Sequence, residues 1–115
     1  MGKTITVLYV PADESRPVET KEISGDLLRE VQRMVDGYVE QVTFSANVVG
    51  LFNVDGPNLA LPLNRRATVY LQRAFGWTNS GFGAVGNVVF AASDAMTWSD
   101  VDEAVIEWFK TTGSL

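Results

Sequence analysis

The sequence predicts one small α+β domain spanning residues 1–115: a mostly antiparallel sheet packed with two or three helices, the last an amphipathic C-terminal helix. Three observations predict it. Several short runs alternate apolar with polar residues at a period of two and are rich in Val, Ile, Thr and aromatic residues, the pattern of half-buried strands. Other stretches repeat apolar residues at helical spacing between capping signals. No segment recurs at a fixed period and none has the composition of an interdomain linker, so one domain is the simplest partition.

Taken in order, Thr4, Thr6 and Leu8 alternate with Ile5, Val7 and Tyr9, which predicts a strand over residues 3–10. Pro11 and Pro17 bracket a polar loop. Val18 to Ile23 alternates again and predicts the returning arm of a hairpin, its charges marking an exposed edge. Ser24 is the expected N-cap of the next element, with Asp26 in its first turn. Leu27, Leu28, Val31, Met34 and Val35 give that helix one apolar face, and Gly37 is placed to end it in a left-handed conformation. Tyr38 to Phe44 and Val48 to Val54 predict two further strands, Asp55-Gly56 a tight turn, and Asn58 to Pro62 a short returning strand. Thr68 to Phe75 has helical spacing. Residues 76–86 hold four glycines and predict a loop, and Asn87 to Ala92 reads as a buried central strand. Ser99 with Asp100, Asp102 and Glu103 predicts a helix start; Val101, Ala104, Val105, Trp108 and Phe109 form its apolar face and Gly113 its end.

Composition narrows the chemistry. Nine Lys+Arg against fourteen Asp+Glu give a net charge of −5; with 46% hydrophobic residues the chain has enough apolar material for a core and is not disordered throughout. There is no cysteine and no histidine. Disulfides, thiolate or imidazole metal sites, and nucleophilic catalysis through His are therefore excluded. No catalytic residue, metal or cofactor is expected. The acidic balance argues against direct nucleic-acid binding. The N-terminal apolar run stops at Pro11, too short for a secretory signal or a membrane span, so a cytoplasmic location without membrane contact is expected.

Charge is unevenly spread. Residues 46–98 carry three basic and two acidic side chains, against five and eight before them and one and four after them. The three cations are Arg65, Arg66 and Arg73. If Asn64 caps the helix that follows, Arg65 and Arg66 fall in its first turn, where cations oppose the helix dipole. Free N–H groups beside two guanidiniums suit a phosphate or carboxylate. Asn64, Arg65, Arg66 and Thr68 are therefore the candidate anion- or partner-binding residues, weighed against a solvated pair making surface ion pairs. Gly81 to Gly86 matches G-x-G-x-x-G, but a strand follows it where a dinucleotide site needs a helix, so it reads as a glycine-rich loop. Phe82, inside that loop, is the candidate exposed interface aromatic.

The chain resembles the family called domain of unknown function 3846, small proteins frequent in bacteriophages and mobile elements, including phages of actinobacteria. The resemblance rests on Val7 to Pro11, Gly37 to Val42, Asn53 to Gly56, Leu61 to Thr68 and Gly86 to Ala91, a family-like core of about residues 5–92 followed by a helical extension over 93–115. It implies no activity and assigns no role to the Asn64–Thr68 segment. The expectation is a small phage-type accessory protein that binds a host protein or a small anionic ligand. An acidic DNA mimic that occupies a host nucleic-acid-binding protein is the alternative, and an enzyme using carboxylates or a hard metal is the third.

Overall fold

Both faces of the first strand are buried, and that dictates the layers. In β1 (Thr4–Val10), Ile5, Val7 and Tyr9 project to one side and Leu8 and Val10 to the other, because side chains alternate along a strand. A strand apolar on both faces must be covered twice. The computed structural model, which describes residues 3–77, 83–94 and 97–113, covers it that way. Helix α1 (Leu27–Val35) buries Val31 and Val35 on the Ile5–Val7–Tyr9 side. Helices α2 (Arg65–Phe75) and α3 (Glu103–Thr111) cover the other side through Ala67, Tyr70, Leu71, Val105 and Phe109.

The sheet is antiparallel at every pairing. With β2 (Glu19–Ser24), β3 (Val39–Ser45), β4 (Val48–Asn53) and β5 (Val88–Asp94), the order is β2-β1-β5-β4-β3. β5 is central, as its unbroken apolar run requires, with Val88 to Ala91 fully buried. β2 is an edge that buries only Ile23, as its charges predict. A sixth strand, β6 (Thr97–Ser99), pairs with the end of β5. The α+β class, the antiparallel sheet and the closing helix are as the sequence predicts.

Several boundaries differ. Ser24 ends β2 instead of capping α1; Gly25 turns the chain at φ 78° and Asp26 caps, its carboxylate accepting from Arg29 N at 3.2 Å. The left-handed residue after α1 is Asp36 at φ 62°, not Gly37. No strand forms at 58–62. Its amides bond inside successive turns (Leu59 to Asp55 O, Ala60 to Pro57 O, Leu61 to Gly56 O), so they have nothing to offer a partner strand. α2 starts at Arg65, three residues early, because Asn64 caps it. α3 starts after Asp102, whose carboxylate accepts from Ala104 N at 3.0 Å, since Ser99 is held in β6. Phe82 lies outside the described residues.

Candidate functional site

The four residues singled out in the sequence lie at the start of α2 and divide into two pairs. Asn64 and Thr68 are buried, at 0% and 8% exposure, and face inward. The Asn64 amide oxygen accepts from Ala67 N at 3.1 Å, which caps the helix, while its nitrogen donates to Val10 O at 2.8 Å and Gly86 O at 2.9 Å. One side chain thus ties α2 to the end of β1 and to the segment entering β5. The Thr68 hydroxyl donates to Asn64 O at 2.7 Å and accepts from Ala84 N at 2.9 Å. These two groups have no donor or acceptor turned to solvent; they brace the fold.

Arg65 is exposed and Arg66 half-buried, and both are already partnered. Arg65 donates from Nε (3.2 Å) and Nη2 (2.7 Å) to the two carboxylate oxygens of Glu14, a forked ion pair 51 positions away in sequence. That hydrogen bond, and then the guanidinium charge, hold the Glu14 carboxyl below its ordinary 4.5, and Glu14 in turn raises Arg65. Arg66 Nη2 donates to Pro11 O at 2.8 Å and Asp13 O at 3.1 Å, while its Nε is buried with no acceptor among the described residues. Asp13 closes the same loop on Ser15, whose hydroxyl (2.7 Å) and N–H (2.9 Å) it accepts; these bonds lower its pKa. Two cations at the positive end of a helix are thus offset by Glu14 and by two carbonyls of the β1–β2 loop.

What remains open is a groove of about 370 Å³ between α2 and α3, lined by Arg65, Arg66, Val69, Arg73, Trp108 and Thr112. The four α2 residues fall within an arc of about 100° because a residue turns that angle along a helix. Trp108 packs edge-on to Tyr70 with ring centres 5.1 Å apart and gives the groove an apolar wall. Arg73 has no ion-pair or hydrogen-bond partner among the described residues, and the Glu14 pair uses Arg65 Nε and Nη2 and not Nη1. The structure thus gathers the three arginines of the charge-depleted middle segment. Arg73 was visible in the sequence as the third of these cations. Trp108 and Thr112 carried no such signal, since only the docking of α3 brings them to the groove.

Many acidic side chains are engaged within the fold. Asp26 and Asp102 cap helices, Asp100 accepts from Thr6 N at 2.8 Å, and Glu14, Glu19 and Glu30 pair with Arg65, Lys21 and Arg33.

A model of the family described as Domain of unknown function (DUF3846) matches residues 5–113. The match runs beyond residue 92 and takes in β6 and α3. No curated protein and no solved structure matches the chain.

Proposed function

The chain belongs to the DUF3846 family, whose description carries no activity, and we propose that this member works by binding, through the groove between α2 and α3, a carboxylate-bearing segment of a partner protein. One observation carries the reading: Arg65, Arg66 and Arg73 of a net acidic chain line the same groove, with Val69 and the Trp108 ring beside them. Guanidiniums recognise carboxylates through paired N–H donors, and an apolar wall next to them supplies the contact energy that exposed charge alone does not. As a phage-type accessory protein it finds that partner in the host cytoplasm.

The test uses an array of acidic peptides, each with one Leu or Phe, read by fluorescence anisotropy at low and high salt. Arg73→Glu reverses the groove cation that has no partner among the described residues and weakens binding roughly three- to tenfold, with the melting temperature unchanged. Glu14→Gln removes the carboxylate that competes for Arg65 and tightens binding. Capture that is insensitive to both substitutions and to salt would sink the reading.

A further inference from the structure

Helix α2 ends at Phe75, which stacks on Phe44 of β3 at 5.5 Å, and beyond it the described residues leave an opening over β3 and β4. The opening is a cleft of about 190 Å³ lined by Glu40 and Val42 of β3, Phe52 and Asn53 of β4, Pro57, Trp77 and residues 83–85. Glu40 and Phe52 are directly paired in register, so both side chains rise from the same face, and Val42, two residues on, rises beside them opposite Gly50. Gly50 is required there. A Cβ on it would stand 2.8 Å from the rings of both Phe44 and Phe52, so its absence lets the two rings lie over the strand. Trp77 stacks on Phe52 (ring centres 6.2 Å, interplanar 21°) and meets Phe44 edge-on at 5.7 Å.

The walls combine aromatic and aliphatic side chains with Asn53, whose amide is already bonded to Val35 O, Asp36 O and Asp55 N, and Glu40 is the one charged residue among the described lining. It is exposed and has no ion pair or hydrogen bond with any described residue. Aromatic faces attract cations through their quadrupole, and a carboxylate at the mouth adds charge of the same preference. An anion would be repelled by Glu40, and a purely apolar ligand would gain nothing from its charge. We infer that this cleft takes a small organic cation, an alkylammonium whose short stem lies against Val42, Phe52 and Trp77 and whose head meets the Glu40 carboxylate. The volume suits one such group, since a dry cavity of ~150 Å³ admits a benzene. The site lies on the β3–β4 side, built from other residues than the arginine groove, and stands whether or not that groove binds anything.

The experiment is an NMR titration of the ¹⁵N-labelled full chain with n-butylammonium, with n-butanol as the neutral analogue of the same length. The cation shifts the Trp77 indole and the Val42, Phe52 and Val85 amides, and binds about tenfold tighter than the alcohol. Glu40→Gln, on an exposed edge strand where it leaves the melting temperature in place, brings the two ligands level. A blocked Gly-Lys-Gly peptide distinguishes the sources of the ammonium: tighter binding than butylammonium assigns the cleft to a lysine side chain of a partner, weaker binding to a free amine. Equal affinity for amine and alcohol in the unmodified protein, shifts confined to residues elsewhere, or a Glu40→Gln variant that keeps the full preference each overturns the assignment.

Discussion

Replacing Asn64 by Ala separates a bracing role from a ligand-contacting one. The side chain is wholly buried and makes three hydrogen bonds, to Ala67 N, Val10 O and Gly86 O. Loss of the cap costs about 1 kcal/mol. Val10 O and Gly86 O are then left facing a methyl group, and each stranded buried carbonyl costs about 1–3 kcal/mol, toward the lower figure where a carbonyl keeps a second partner or water enters. The sum is about 3–5 kcal/mol, a large share of the 5–15 kcal/mol that holds a typical small domain together. Urea unfolding at neutral pH measures it as a fall in midpoint at unchanged slope. Asn64→Asp supplies a second arm. Its carboxylate preserves the acceptor for Ala67 N but sets negative oxygen against two carbonyl oxygens, which raises its pKa in the folded state. The protonated form is the better tolerated one, so this variant gains stability, relative to the unmodified protein, as pH falls through that raised value. A change below about 1 kcal/mol for Asn64→Ala would refute the bracing role and return Asn64 to the ligand-facing set.

Two expectations concern pH. Burial, and secondarily the charge of Asp102, push the Tyr70 hydroxyl up to about 12 from an ordinary 10.0. The neutral form is favoured in the folded state, so stability is intact below 10, falls as the unfolded chain ionises first, and is lower by roughly 2–3 kcal/mol above 12; alkaline unfolding of Tyr70→Phe lacks this component, and identical profiles for the two proteins would contradict the burial of the hydroxyl. At the acid end, the Glu14 carboxyl titrates below 4.5 because Arg65 bonds to it. Its contribution is present above 4.5 and lost as pH falls through the lowered value. In Arg65→Gln its NMR midpoint returns toward 4.5, and an unmoved midpoint would mean that the pair does not persist in solution.

The elements were legible where one local rule decided them. Alternation placed β1 and β2, and their register from Thr4–Ser24 to Tyr9–Glu19 follows from a hairpin joined by a proline-bounded loop. The apolar run at Val88 to Ala91 announced a strand buried on both faces, and β5 is central. Three features were not legible. β6 has three residues, too few to show a period, and it displaced the expected start of α3. The residues at 58–62 looked strand-like, but turn hydrogen bonds of their own claimed the amides. At the site, the charge imbalance pointed to Arg65, Arg66 and Arg73 and the Asn64 cap was readable from spacing. The partners that decide what those residues do, Val10 for Asn64 and Glu14 for Arg65, lie 54 and 51 positions away. No local pattern encodes such pairings.

Those distant pairings change what two arginines at a helix N-terminus mean. From the sequence they are a local electrostatic cost, and a cost left standing suggests a ligand that offsets it. In the folded chain the offset is internal: Arg65 grips Glu14, and Arg66 grips the carbonyls of Pro11 and Asp13, so the β1–β2 loop is fastened to α2 by the very groups expected from the sequence to hold an anion. A partner approaching the Arg65 end must therefore displace a carboxylate already held on the same molecule, whereas at the Arg73 end it meets a guanidinium with no described partner. The proposed recognition through this groove would accordingly be anchored at Arg73 and Trp108, with Arg65 adding to it only as far as Glu14 lets go.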